Sequence, residues 1–269
     1  RAIIGCIFLI FGGLFTGYKV EFKMIKKNLW LLLLSGAAIG FNWILLFQAY
    51  KYTTIANATL SYYFAPMFVM ILSPIVLKER LTAVKIGCMI AAIVGLFMIL
   101  NTENAGLVTS NSNLVGIIYG LSAAALYASV ILMNKFIKDI SGYGTTLIQL
   151  LISTLVLLPS VVFNGGIPLY LVNISGLIFI LIVGIVHTGL TYLMYFTSMK
   201  QIKGQTIAIL SYIDPITAVI ISAIFMDEAI TYLQVAGGML ILGATFFSEN
   251  GERVTKKISL LSNKNQFKQ

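Results

Sequence analysis

Two ionisable side chains lie deep inside apolar runs: Asp214 in SYIDPITAV and His187 in GIVHTGLTYL. A charge at the centre of a bilayer costs about 2.5–3.5 kcal/mol or more unless it is paired, protonated or wetted. Pro215 directly follows the acid. Proline lacks the backbone donor and leaves a carbonyl free nearby. Asp214 therefore suits a proton-accepting carboxylate or an anchor for a cationic ammonium group. The plainer reading is a protonated acid bonded to a neighbouring helix. His187 is the sole histidine. Imidazole changes charge near neutral pH with small changes of surroundings, which suits a proton relay with Asp214 or contact with a substrate. A neutral histidine bridging two helices is the alternative. No second ligand at metal-binding spacing accompanies it, so neither a metal nor a cofactor is expected.

A wider polar-aromatic set could line a small-molecule site: Asn42, Trp43, Gln48, Asn57, Tyr62, Tyr63, Tyr119, Tyr127, Thr191, Tyr192, Tyr195 and Tyr212. At helical spacing Thr188, Thr191, Tyr192 and Tyr195 share one face. Such a face suits an amphipathic substrate held by ring contacts and a few hydrogen bonds. Interhelical packing, with the hydroxyls bonded to backbone, would use the same residues. Glu79 and Glu228 each precede a Thr by three residues where a new helix begins. They are expected to fix that turn or to bond the first N–H groups of the following helix.

The elements that must carry these groups follow from composition. Hydrophobic residues make up 59% of the 269 residues and charged residues 10%. Mean hydropathy is +0.96. A water-soluble domain carries about 25% charged residues, so this chain could not cover an aqueous surface and lipid is its solvent. The net charge of +9 is carried at the ends of apolar runs. It reads as a topology signal and not as a nucleic-acid footprint. Cys6 and Cys88 lie in separate apolar runs without CxxC spacing, as small buried apolar residues do.

Nine apolar runs are legible, near 1–17, 29–50, 55–77, 83–101, 113–134, 143–163, 176–199, 204–226 and 231–248. They are long and continuously apolar, which selects helices over the shorter alternating strands of a barrel. The first run starts abruptly at Arg1 and no small-residue cleavage site follows it. It reads as a second helix whose predecessor is missing. With loop 18–28 placed inside, alternation gathers sixteen Lys and Arg on that side and leaves Arg1 and Lys51 on the other. This bias puts the basic tail 249–269 in the cytoplasm, near anionic headgroups.

The chain also repeats itself. A shift of 149 residues aligns 40–82 with 189–231 without gaps. It superposes Gly40 on Gly189, Lys51 on Lys200, Tyr63 on Tyr212, Pro66 on Pro215 and Glu79 on Glu228, with Trp43 on Tyr192 as a conservative pair. Chance alignment of apolar sequence yields Leu, Ile and Val pairs, not Pro, Glu and Lys together. The shift crosses five spans, an odd number, so the two copies run in opposite directions through the membrane. Such inverted repeats underlie alternating access in secondary transporters. His187 and Asp214 align with Ala38 and Ala65, so the shared fold requires neither polar group. Small-xxx-small pairs at Gly13/Gly17, Gly36/Gly40 and Gly116/Gly120 are expected to let helices approach closely.

A mid-helix Pro, a Glu thirteen residues later and then a Gly-bearing helix recur in both copies, as Pro66, Glu79, Gly87 and Gly95, then Pro215, Glu228 and Gly243. In this the chain resembles the EamA-type members of the drug/metabolite transporter superfamily. The resemblance covers nearly everything before the tail, and Arg1 resembles the basic residue that opens the family's second helix. It implies ten helices in the parent, both termini in the cytoplasm, and a central cavity for small metabolites.

The expected protein is thus an all-α, polytopic membrane bundle of inverted five-helix repeats with about nine helices present. The first repeat spans 1–101, the second 113–248 and the tail 249–269. Its expected partners are a small-molecule substrate, protons and membrane lipid, with no nucleic acid. Its expected place is a bacterial cell (inner) membrane, multi-pass, with the C-terminus cytoplasmic. Substrate identity, direction, coupling ion and oligomeric state stay open. Two rival classes are an intramembrane enzyme using His187 and Asp214 as acid and base, and a non-transporting scaffold. No GxSxG or HExxH pattern supports the enzyme, and no GxxxxGK[ST] loop supports direct ATP drive.

Overall fold

The structure is a computed structural model that describes residues 1–17, 22–100, 111–163, 173–225 and 231–248. Among the described residues every regular element is helical. In chain order these are α1 (Ala2–Thr16), α2 (Phe22–Lys27), α3 (Leu29–Tyr52), α4 (Ile55–Tyr62), α5 (Ala65–Val76), α6 (Ala83–Leu100), α7 (Asn111–Asn134), α8 (Gly142–Phe163) and α9 (Ile174–Ile182). A π-helical segment (Val183–Leu190) leads into α10 (Thr191–Met199), followed by α11 (Gly204–Leu210) and α12 (Ile213–Phe225). The last helix is α13 (Tyr232–Ser248). All nine apolar runs are therefore helical. Two of them, α4–α5 and α11–α12, are interrupted, and a third carries the π-helical stretch.

Local chemistry sets several boundaries. Gly17 takes the left-handed conformation at φ 65° and closes α1, a conformation that a Cβ would strain. Its sequence partner Gly13 packs against Tyr143, whereas a methyl at Gly17 would meet nothing within 4 Å. The Gly13/Gly17 pair is thus a cap and a contact, not a paired packing face. Thr54 caps α4 through the amide of Asn57, and Asn173 caps α9 through the amide of Gly176 at 2.7 Å. Among the described residues five helical stretches have the length and apolarity to cross a membrane: Leu29–Tyr52, Asn57–Val76, Asn113–Asn134, Gly142–Phe163 and Ile174–Met199. Shorter apolar helices cover Ala2–Phe15, Ala83–Ile99 and Tyr232–Ser248.

The chain divides into two compact units: residues 1–65 with 110–202, and residues 66–109 with 203–269. These units cut across the sequence repeats, since each takes helices from both copies.

In the first unit, α3 packs along α7 and α8, α4 along α7, and α1 along α8 and the π-helical segment. Small residues permit these approaches. A methyl on Gly40 would lie 2.9 Å from Val156 of α8, and one on Gly189 would lie 2.6 Å from Phe8 of α1. Gly40 and Gly189 are repeat partners, and α1 and α8 occupy the corresponding places ahead of them in the two copies. The two contacts are the same contact made twice. A buried amide network joins three helices: Gln149 Nε2 donates to Ser35 Oγ at 2.6 Å and to Asn134 Oδ1 at 3.1 Å. The Gln149 amide nitrogen is thereby satisfied while its buried Oε1 has no partner among the described residues; paired buried polar groups help fix which faces meet.

Two lysines bond backbone carbonyls in the same unit. Lys135 Nζ donates to the Met199 carbonyl at 2.5 Å and also to the Ile202 carbonyl. Lys200 Nζ donates to the Ile140 carbonyl at 2.5 Å and to Thr145 Oγ1 at 3.1 Å. Met199 ends α10, where terminal carbonyls carry the negative end of the helix dipole and favour such a partner; Ile140 lies in the turn before α8. Lys27 and Asp139 form an exposed ion pair at 2.7 Å. The hydrogen bond and charge of Lys27 hold the Asp139 carboxyl below the usual aspartate range.

In the second unit, α6 and α13 meet backbone to backbone. A methyl on Gly95 would lie 2.6 Å from the Gly237 carbonyl oxygen, and one on Gly237 would lie 2.6 Å from that of Gly95. Glu79, expected to serve its own turn or the helix after it, instead caps α11. Its carboxylate accepts from Gly204 N at 2.8 Å and Gln205 N at 3.1 Å. Thr82 caps α6 through the amide of Lys85. Glu228 lies outside the described residues. Lys85, placed by sequence among the membrane-flanking charges, is 2% exposed. Its ammonium donates to Gln205 Oε1 at 2.7 Å, so the anchored end of α11 carries both a carboxylate and an ammonium partner.

Candidate functional site

The first feature of the site is a pair of broken helices. The run 55–76 is interrupted at Tyr63–Phe64 and the run 204–225 at Ser211–Tyr212. Pro66 and Pro215 follow within three residues of these breaks and can donate no backbone bond to the preceding turn. The breaks fall at repeat-equivalent places, so the duplicated prolines have a duplicated structural effect. Discontinuous helices of this kind build binding sites in transporters with inverted repeats. Asp214 occupies the first turn of α12 and its side chain is exposed in the second unit. A first-turn carboxylate is favoured by the helix dipole, which lowers the cost that a mid-run charge carries in an unbroken helix. Its carbonyl accepts from Thr217 Oγ1 at 2.7 Å. Tyr212, also in that unit, is fully buried, and its hydroxyl has no hydrogen-bond partner among the described residues.

The second feature is an aromatic ladder within the first unit. Trp43 of α3 donates its indole N–H to the Tyr192 hydroxyl at 3.2 Å, with ring centroids 5.9 Å apart. Tyr192 and Tyr195 of α10 both lean on Phe196, at 5.4 and 5.7 Å. Tyr195 stacks on Tyr127 of α7 at 6.4 Å, and Tyr127 meets Tyr62 of α4 at 5.7 Å. Five of these six aromatics come from the set chosen by sequence; Phe196 is the addition. Trp43 and Tyr192 are partners under the 149-residue shift. Two repeat-equivalent residues can touch only where the pseudo-two-fold axis passes, so this pair, at one end of the ladder, lies on that axis. Asn42, 1% exposed, anchors the ladder's floor by donating to the Ala123 carbonyl at 2.7 Å.

The third feature is a cavity of about 560 Å³ in the same unit, with Trp43 in its wall. Arg1, Phe47, Gln48 and Lys51 contribute to the lining. The Arg1 guanidinium stands 4.2 Å from the Trp43 ring centroid and 5.6 Å from that of Phe47, a cation–π arrangement. A volume of this size suits a small organic ligand.

The remaining sequence candidates are dispersed. Asn57 joins Thr53 and Asn113 in a polar cluster between α4 and α7, where Thr53 and Asn113 are hydrogen-bonded. Tyr119 stacks on Tyr52 at 5.6 Å. Tyr63 sits half-buried at the first break. His187 lies in the π-helical segment and is exposed. Thr188 and Thr191 serve that segment directly. Their hydroxyls donate to the carbonyls of Val183 and Val186, each five residues back, at 3.0 and 2.9 Å. These bonds follow the wide π-helical spacing, which concentrates at functional sites in other proteins. Arg1 and Lys51 were missed as site residues. Lys51 left a signal nonetheless, since it is the interior exception to the one-sided distribution of basic residues.

Inverted repeats, paired helix breaks and an axial aromatic site define an integral membrane protein of transporter architecture. The chain belongs to the EamA-like transporter family, whose model matches residues 1–101 and 114–249. It is 30% identical to the uncharacterized transporter YxxF of Bacillus subtilis (strain 168), over 90% of this chain and 76% of the relative. It is 26% identical to a probable amino-acid metabolite efflux pump of Salmonella typhimurium, over 86% of this chain and 80% of that protein. It is 23% identical to the protein PecM of Dickeya dadantii, over 89% and 78%. A crystal structure of another protein, 16% identical, shares the fold at a TM-score of 0.82 over 94% of this chain and 86% of the other. The resemblance to EamA-type transporters visible in the sequence is thereby borne out, and the protein is a transporter of that family.

Proposed function

We propose that the protein is a secondary transporter of small organic metabolites, amino acids and related compounds foremost, working by alternating access. The observation that carries this reading is the meeting of Trp43 with Tyr192 at 3.2 Å across the pseudo-two-fold axis. A site on the axis of two opposed copies is offered equally to both sides of the membrane. Exchange of conformation between the copies then moves the site's opening without moving the site. Trp43, Tyr62, Tyr192 and Tyr195 supply aromatic surface and Asn42 fixes it. Asn57, Tyr63, Tyr119, Thr188, Thr191 and Tyr212 complete the proposed substrate path. The name of the Salmonella relative supports the amino-acid class. The one-sided basic residues support a multi-pass place in the bacterial cell membrane with the C-terminus in the cytoplasm.

In this reading Asp214 of the second unit is the proton-accepting group, and His187 of the first unit is a second proton-handling group. Both are exposed side chains on otherwise apolar helices, and neither is required by the repeat, which places alanine at both equivalent positions. The test is uptake of a panel of amino acids by vesicles carrying the full-length protein, with and without a pH gradient. In Asp214→Asn, flux under a gradient should fall to the level seen without one, while exchange of substrate for substrate persists. Gradient-driven flux equal to wild type in Asp214→Asn removes the coupling role. Absence of flux for every metabolite in the panel, with the folded protein present, removes the transport reading.

A further inference from the structure

We propose that the cavity of the first unit selects an organic anion: a small carboxylate on an apolar or aromatic body. This rests on the transport reading and narrows its substrate class. The cavity wall is mostly hydrocarbon and aromatic ring, and it contains two cationic side chains, Arg1 and Lys51, and no Asp or Glu. Among the described residues the one ion pair is Lys27–Asp139, elsewhere in the unit. Among the described residues no carboxylate pairs with Arg1 or Lys51. Positive charge against low-dielectric walls attracts and concentrates anions more strongly than the same charge in water.

Repeat symmetry sharpens the point. Lys200, the partner of Lys51, is tied to the Ile140 carbonyl and Thr145 Oγ1. Lys51 instead sits exposed at the rim of the cavity. One copy ties the lysine to the turn that precedes α8; the other places it in the cavity lining. The Arg1 guanidinium lies over Trp43, which orients its fork of N–H donors beside the aromatic ladder. A carboxylate can accept two parallel bonds from such a fork. Gln48, Thr154 and Ser160, also in the lining, offer further polar contacts, while Phe47 and Trp43 receive the apolar body.

The same chemistry, an anionic head on an apolar body, is carried by soluble carboxylates and by anionic lipids, and the experiment separates them. With Trp30 and any tryptophan outside residues 1–269 changed to Phe, Trp43 is the sole indole. Its fluorescence is followed in the full-length protein, in phosphatidylcholine vesicles, during titration with 3-phenylpropanoate and with the matching neutral amide. The acid should quench and the amide should not. Lys51→Gln should weaken acid binding about tenfold or more, and Lys51→Arg should restore it. Repeating the titration with phosphatidylglycerol in the vesicles identifies the source. Undiminished acid binding assigns the site to soluble carboxylates. Competition that Lys51→Gln abolishes assigns it to the lipid headgroup. Equal binding of acid and amide, no binding of either, or an unchanged Lys51→Gln variant overturns the anion assignment. Vesicles that move a metabolite while showing no charge preference refute this inference alone. Charge-selective binding without flux refutes the transport reading alone.

Discussion

Helix α6 contains its own control for the packing argument. Gly87 and Gly95 lie two turns apart on that helix. A methyl on Gly87 meets nothing within 4 Å, whereas one on Gly95 meets the Gly237 carbonyl oxygen at 2.6 Å and Ile241 at 2.8 Å. The first distance falls about 0.8 Å short of the 3.4 Å at which ordinary contact begins. The obstacle is backbone, so α6 and α13 must separate to admit the methyl. Overpacking of this kind costs about 1–3 kcal/mol. Alanine in place of glycine also favours the helix by about 0.5–1 kcal/mol, and both variants share that gain. Their difference therefore isolates the packing cost at about 1–3 kcal/mol. Chains of this size lose about 2–4 °C of melting temperature per kcal/mol. Gly87→Ala should melt at or above wild type in detergent, and Gly95→Ala several degrees below Gly87→Ala. Gly95→Ala melting with Gly87→Ala would refute the close approach of α6 and α13.

Two further outcomes follow from the caps and charges. Glu79→Ala should free the N-terminus of α11 by removing two charge-assisted bonds to Gly204 and Gln205, a loss of about 1.5–3 kcal/mol. Hydrogen exchange of residues 204–207 should speed accordingly, and unchanged exchange there would exclude the cap. Asp139 has its folded-state pKa lowered by Lys27. Its stabilisation is present above the ordinary aspartate pKa and is lost as pH falls through the depressed value. The pair is exposed, so the effect should be small. Asp139→Asn should melt slightly below wild type near neutrality and coincide with it in acid. A gap that widens on acidification would reverse the assigned sign.

The helical runs were legible because lipid demands long apolar segments, and all nine appear where the hydropathy places them. Pro66 and Pro215 were read as mid-helix prolines of unbroken runs, and the structure interrupts both runs beside them. The meeting of Trp43 and Tyr192 was implicit in the 149-residue shift, but which repeat partners touch depends on where the axis falls. The sequence carries no marker for that axis. The compact units were not legible either, because packing joins helices across copies while alignment reads along them. Glu79 was assigned to the helix beside it in sequence; the structure brings it to α11 instead. Lys85 shows the limit of counting charges near span ends, since one turn of helix decides between solvent and a buried amide partner. The π-helical segment had no forecast. Its threonines bond five residues back only once the backbone has widened, and alternating apolar and polar spacing does not encode that.

The indole–phenol contact on the axis also bears on how a duplicated protein becomes one asymmetric machine. Two tryptophans meeting there would present donor to donor and could form no mutual hydrogen bond; indole only gives, while phenol both gives and receives. Tryptophan in one copy and tyrosine in the other makes this self-facing position a directed link from α3 to α10. Further change at either residue is then read by both halves at once. The seam between the halves is accordingly the place where a single substitution has the widest reach.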